Sequence, residues 1–446
     1  MLNPPSHVPP CTPAPGAARP LRARTPGGTL RLGRRIALPA ALIATAVWIA
    51  FAPAPARAQE WPDRPITAFD GRVVIGGEAL VTIAPEDVGF FNYTDYERSA
   101  LQLVRLGLVT MVHAADRLSF VAELRAEGDT SGGPWTGVPY AAYVRLRPWR
   151  ERPFELQAGR IPPAFGGFLR RSYGRDNPLI GYPLAYQYLT SLRHDALPRH
   201  ADDLIERRGT GWYTGYPVGS PEWRHGVPLV SAFRYDTGVL ARTTALSDRL
   251  EVLGSVTTGT LSNPRGGDDN GSAQVAGRIA ARPVTGLVLA ASAAHGGFLA
   301  GELSSQVSPG TRPSDYSQRS FGADVEYSRA YWLVRAEWLR TSWQVPALAA
   351  PAIGDPLSAS ALAIEGRYTL LPGLYAAARV DRLSFATVPG TAGPETWDAD
   401  VSRVEAGIGY SLTRHIVVKA VYQHNRRDGG RVRRANFGAA QLLLWF

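Results

Sequence analysis

One pattern constrains this chain more than any other: apolar and polar residues alternate, again and again, in segments of about 10–14 residues. In VSRVEAGIGYSL, Val404, Ala406, Ile408, Tyr410 and Leu412 share one face, while Arg403, Glu405, Gly407, Gly409 and Ser411 share the other. RSFGADVEYS sets Phe321, Ala323, Val325 and Tyr327 against Gly322, Asp324, Glu326 and Ser328. YWLVRAEWL and RLSFVAELRAEG repeat it. A period of two places successive side chains on opposite sides of an extended strand, so each segment reads as a strand with one apolar face. Beyond residue 58 no stretch approaches the about 20 apolar residues of a membrane helix.

The connections between these segments add a second constraint. Tight ones fall near 113–117, 147–153, 242–249, 282–286, 329–331, 370–373 and 412–415. Longer ones, rich in Gly, Pro and Asp, fall near 84–99, 127–137, 261–271, 298–318, 344–357 and 387–400, with a shorter one at 425–431. Short turns at one end and long loops at the other are the sequence pattern of a transmembrane β-barrel, and a two-sheet sandwich has no reason to sort its loops this way. The chain reads as all-β, with sixteen antiparallel strands at 71–83, 100–112, 117–127, 138–147, 154–161, 229–242, 249–260, 272–282, 286–297, 319–329, 331–343, 358–370, 373–386, 401–412, 414–426 and 432–446. An even count brings both ends to the short-turn side, where the last strand can pair with the first and remove both edges.

The chain stops on ANFGAAQLLLWF. Counted back in twos from Phe446, it presents Leu444, Leu442, Ala440 and Gly438 on one face, a lipid-facing row that closes on an aromatic at the membrane boundary. At the other end, Arg31, Arg34 and Arg35 precede the apolar run IALPAALIATAVWIAFA, and Ala56-Arg57-Ala58 fits a small-x-small cleavage site, predicting a cut before Gln59. Residues 1–58 thus form an N-terminal extension and signal peptide, and 59–446 form the barrel. The sole cysteine, Cys11, lies in that leader, so no disulfide is expected after export. Residues 1–58 also carry seven arginines and no acid. Without them the formal charge of +10 falls to 41 basic against 38 acidic residues, which argues against a nucleic-acid partner.

The C-terminal strand, the signal peptide and the even strand count together resemble the outer-membrane proteins of Gram-negative bacteria, and the loop pattern resembles the sixteen-stranded porins in particular. The resemblance implies a water-filled channel for passive diffusion of small hydrophilic solutes, seated in outer-membrane lipid and lipopolysaccharide. It also implies assembly by the machinery that reads Phe446, Leu444 and Leu442, and association as a homotrimer. No enzyme activity or cofactor is implied. With about ten residues, 59–70, ahead of the first strand, a plugged transporter is not expected.

One connection breaks the spacing. Residues 162–228 form the third long loop, and in the porins the resemblance points to, that loop folds into the lumen and narrows it. Arg170, Arg171, Arg175, Arg193, Arg199, Arg207, Arg208 and Arg224 face six acids here, interleaved with Tyr173, Tyr182, Tyr186, Tyr188, Trp212, Tyr213 and Tyr216. Arginines in a narrow passage raise local anion concentration, and aromatic rings offer a surface to sugars or ring-bearing solutes. Arg170, Arg171, Tyr173 and Arg175, with Asp202 and Asp203 opposite, are therefore the candidate constriction, giving a mild anion preference. LPRHADDLIERR reads as a short helix ended by Gly209. A further hairpin at 182–190 and 211–218 would raise the count to eighteen strands and point to a substrate-specific sugar or phosphate channel. A third reading is a barrel occluded by this loop, acting as a structural or surface-binding protein.

Alternation places Arg125, Arg145, Arg335, Glu337, Arg367, Arg379, Arg403 and Glu405 on interior faces, as the lumen wall. An Arg or Lys turned to lipid at the midplane costs ~2–4 kcal/mol, so these positions face water or each other. No Gly-x-Ser-x-Gly, His-Glu-x-x-His or phosphate-binding Gly-Lys-Ser/Thr motif occurs. The one metal-like grouping, His194 and His200 with Asp195, Asp202 and Asp203, reads as a solvated loop.

Overall fold

The alternating segments pair into a closed wall. The structure is a computed structural model and describes residues 64–93, 98–354 and 356–446. The first eight strands are β1 Val73–Ile83, β2 Leu103–Ala115, β3 Leu118–Asp129, β4 Thr136–Leu146, β5 Phe154–Ile161, β6 Asp236–Ala245, β7 Leu250–Thr257 and β8 Gln274–Ala281. The remainder are β9 Leu287–Gly297, β10 Ser317–Arg329, β11 Trp332–Trp343, β12 Leu357–Leu371, β13 Leu374–Phe385, β14 Val401–Thr413, β15 Ile416–Arg427 and β16 Arg434–Trp445. Each is antiparallel to its chain neighbours, and β16 returns to β1 from Glu78↔Trp445 to Ile83↔Ala440, leaving no edge. A short segment, Ile66–Ala68, folds back on the start of β1. The leader and its cleavage site lie outside the described residues.

The eighteen-stranded alternative does not form. Residues 184–187 make one helical turn (α1, Leu184–Gln187), and the second half of the supposed hairpin gives an isolated bridge from Thr214 to Arg224 and the short segment Val218–Gly219, paired with Ala196–Leu197. The sixth strand also starts later than its apolar run implied, at Asp236 rather than 229. Leu229 and Val230 are both buried, which a wall strand with lipid behind it cannot arrange. The Val230 amide donates to the Ala185 carbonyl (3.1 Å) instead of entering the ladder. The long loop therefore runs from 162 to 235.

The outer face is apolar. Phe120, Ile279, Phe321, Trp338, Ile364 and Val404 point outward and are 42–57% exposed, a band that water would not tolerate but lipid favours. Tyr331, Trp332 and Tyr368 cluster beside the short turns, with the Trp332 and Tyr368 rings 4.6 Å apart, as an interfacial belt. At the terminus Leu442 is exposed on the outer face, and Leu443 is buried on the inner. The Phe446 amide donates to the Gly77 carbonyl at 3.0 Å and its carbonyl accepts from Gly77 at 3.2 Å, so the last residue is tied to β1.

The core lies inside the barrel. Phe165, Phe168, Leu179, Leu184, Leu192, Leu197 and Leu204 of the long loop pack with Leu339, Trp343, Leu357, Leu383 and Phe385 of the wall and Trp397 of the β13–β14 loop. Burial of such side chains contributes roughly 1.5–3 kcal/mol each, which is why this loop lies inward rather than in solvent.

Candidate functional site

The long loop enters the interior through AFGGF. Gly166 has φ +70°, the left-handed region where a side chain is strained, and a Cβ on Gly167 would lie 2.9 Å from an Asp324 carboxylate oxygen. The turn reaches across to the opposite wall: the Gly166 amide donates to Ser292 (3.1 Å), and the Gly167 amide donates to Glu337 (2.7 Å). Tyr186 adds its hydroxyl to the same Glu337 oxygen at 2.6 Å. Burial, then Glu337, raises the pKa of the Tyr186 hydroxyl, so it stays protonated and donates.

Residues 170–176 then run along the short-turn half of the lumen. Arg170 pairs with Glu251, which also receives Arg242 (3.3 Å) and Arg282 (3.1 Å). Three guanidiniums on one carboxylate leave the group positive, and their side chains remain 37%, 43% and 39% exposed. Arg171 lies 4.0 Å from Glu326, which Arg335 engages at 2.8 Å. The Tyr173 hydroxyl donates to Glu123 (2.7 Å), and the exposed Arg175 stands 5.7 Å from the Tyr173 ring. Arg145, Arg147 and Arg367 carry the same interior faces onward. This is a wet, arginine-rich basin.

From Asn177 to Arg193 every residue is buried, and wall charges hold the backbone there. Lys419 donates to the carbonyls of Gly174, Asn177 and Leu179 at 2.6, 2.6 and 3.3 Å. Glu405 accepts from the Gly181 amide (2.9 Å), while Arg379 donates to the Gly181 carbonyl (2.7 Å) and to Glu405 (2.6 Å). Arg403 donates to the carbonyls of Tyr182 (3.1 Å) and Phe91 (2.7 Å). A bulge in β4 turns both Tyr140 and Ala141 inward, and Arg125 lies 3.2 Å over the Tyr140 ring. Gaps of about 10 Å³ remain where α1 meets Leu339 and where Asn177 meets Leu103, room for no more than one water each.

Arg170, Arg171, Tyr173 and Arg175 thus share one strap across the basin. Asp202 and Asp203 do not oppose them. Asp202 accepts from the Thr391 amide (2.8 Å) and hydroxyl (2.6 Å) in the β13–β14 loop, which lower its pKa. Asp203 caps its own helix, α2 Ala201–Glu206, by accepting from the Arg199 and His200 amides at 2.6 and 3.2 Å. Both carboxylates are spent at the long-loop mouth, where local capping outcompetes a distant arginine. The eight wall residues all face the interior. What alternation could not reveal is that Glu337, Arg379, Arg403 and Glu405 grip loop backbone. The Glu251 cluster was also missed, although Glu251 sits on the inner face one residue into β7. Among the described residues no group of three or more His, Cys, Asp or Glu is arranged to hold a metal.

No protein-family model matches this chain, and no curated protein does. Solved structures do. OmpF of Salmonella typhi, in complex with daunomycin, is 14% identical over 85% of this chain and 100% of its own, with a TM-score of 0.53. The anion-selective porin from Comamonas acidovorans is 11% identical over 84% and 99% (TM-score 0.49), and the channel DcaP of Acinetobacter baumannii is 12% identical over 86% and 100% (TM-score 0.48). At 14% identity the likeness to OmpF is one of fold, and with the strand count and the closure it is plain that the chain has the sixteen-stranded β-barrel fold of the outer-membrane porins.

Proposed function

We propose that this protein is an outer-membrane channel for small hydrophilic solutes, with a mild preference for anions. The observation that carries the reading is the basin, where Arg170, Arg242 and Arg282 surround the single carboxylate of Glu251 and stay open to water. In a narrow, low-dielectric passage that uncompensated charge attracts anions and repels cations. The constriction is the strap carrying Arg170, Arg171, Tyr173 and Arg175, without Asp202 and Asp203. Current through planar bilayers tests the reading. Stepwise, ohmic openings are expected, and serine at Arg170, Arg171 and Arg175 shifts the reversal potential in a salt gradient toward cations. An unmoved reversal potential would remove these residues from the constriction.

A second reading is favoured by the unbroken burial of residues 177–193: a barrel occluded by its own loop, serving as a structural or surface-binding protein. A silent membrane containing well-folded protein would select it. In either case the apolar outer band meets lipid, and the outward Arg319, Arg340, Arg382 and Arg426 at the long-loop ends of their strands suit lipopolysaccharide phosphates. Export through the leader and recognition of Phe446, Leu444 and Leu442 by the assembly machinery complete the proposal. Small outward residues (Ala376, Ala378, Gly438 and Ala440) offer a flat trimer contact, which a mass measurement in mild detergent decides.

A further inference from the structure

A cavity of about 470 Å³ opens at the long-loop mouth, away from the basin. Its walls come from three connections: Val88 and Phe90 from the β1–β2 loop, Arg207, Trp212, Tyr213 and Trp223 from the long loop, and Arg427, Arg431 and Val432 from the last hairpin. The Gly209 backbone makes this junction, since a Cβ there would lie 3.0 Å from the backbone of Gly429 and Gly430.

The aromatic side of the cavity is a continuous ladder. Phe90 and Trp212 stack at 3.5 Å with an interplanar angle of 8°, Tyr213 follows at 5.5 Å, and Trp223 stands 5.3 Å beyond it. Tyr213 and Trp223 are nevertheless 38% and 45% exposed, unlike the fully buried Trp343 and Trp397 of the core. The polar side is cationic. Arg207 lies 4.9 Å over the Trp223 ring. Arg427 is buried and donates to the carbonyls of Gly429 (3.1 Å) and Val432 (2.9 Å). Among the described residues neither these two nor the exposed Arg431 forms an ion pair, and no Asp, Glu, Asn or Gln lines the cavity.

We infer that this cavity binds small anions that carry a flat aromatic ring, of which aromatic carboxylates are the simplest. The ring stacks on the Trp212–Trp223 ladder, and the carboxylate accepts from Arg207 and Arg431 in charge-assisted hydrogen bonds. A neutral sugar also stacks on aromatic rings, but its hydroxyls need acceptors as well as donors, and among the described residues the lining offers three guanidiniums and no carboxylate or carboxamide. A purely apolar ligand would leave three positive charges to be desolvated without a partner.

Benzoate binding to the full-length protein in detergent micelles, followed by tryptophan fluorescence, tests the inference. Saturable quenching is expected, with benzyl alcohol and acetate each at least about tenfold weaker, since one lacks the charge and the other the ring. The double variant Arg207→Gln, Arg431→Gln weakens benzoate about tenfold or more. Equal binding of benzyl alcohol, undiminished binding in the arginine variant, or no saturable benzoate binding would each overturn it. Should the double variant fail to fold, the comparison of benzoate with benzyl alcohol on the unaltered protein decides alone. No current is measured, so failure here leaves the channel reading untouched.

Discussion

Two neighbouring stretches of one loop live by opposite rules. Residues 170–176 carry Arg170 and Arg175 into water and leave Arg171 half-buried, whereas residues 177–193 are buried to the last side chain. The same wall serves both. Where the loop backbone comes close, wall charges such as Lys419, Arg379, Arg403 and Glu405 bond to its carbonyls and amides. Where it stands off, wall arginines such as Arg242 and Arg282 keep side chains in the basin. An interior charge is thus a backbone clamp or a solvated charge of the basin according to whether a backbone group reaches it.

The sharpest way to break this contrast is Arg379→Met. Arg379 contacts Glu365 (3.3 Å), Asp381 (3.1 Å) and Glu405 (2.6 Å), all buried, besides the Gly181 carbonyl. Its loss leaves Asp381 and Glu405 without their ion-pair partner, and Glu365 with Arg335 alone, at a cost of about 3–5 kcal/mol. The expected result is a lower urea midpoint in micelles and new protease cuts within 177–193. A loop that stays resistant would mean the clamp is unimportant. Leu192→Ala should follow, because Leu192 is fully buried in the interior core, with about 2–4 kcal/mol lost and the same cuts appearing.

Acidification should act on the same half of the molecule more gently. Burial holds His194 down to about 4, with Arg265 and His225 pushing the same way and Asp195 opposing. The unfolded side chain takes its proton near 6.5, so the stabilisation is complete above that pH and drains away as pH falls toward 4. Protection of the loop amides, taken as the exchange rate relative to the intrinsic rate at each pH, should fall between pH 7 and 5 and change less in His194→Gln. An identical profile in the variant would assign the effect elsewhere. Least of all should the basin respond in stability: Arg170, Arg171 and Arg175 changed to serine should cost about 1 kcal/mol, since Glu251 keeps Arg242 and Arg282 and Glu326 keeps Arg335, while reversal potential moves. A large loss of stability there would erase the distinction between the two stretches.

Much of this architecture was legible in the chain itself. Strand alternation is a local property: Val404 and Glu405 take opposite faces whatever surrounds them, so the wall, its sixteen strands and the outward row ending in Phe446 follow from period and turn length. The candidate site was legible only in part. Arg170, Arg171, Tyr173 and Arg175 follow a glycine pair that had to turn, and they do cross the interior together. Asp202 and Asp203 went to Thr391 and to their own helix cap, and Leu229 and Val230 went to the loop core rather than to β6. Those outcomes depend on which backbone groups arrive from residues far along the chain, such as Gly181 at Glu405 across 224 positions. Local periodicity decides which face a side chain takes. Only the folded interior decides what meets it there, because long-range contact and burial, not sequence spacing, set whether a charge is solvated or bonded.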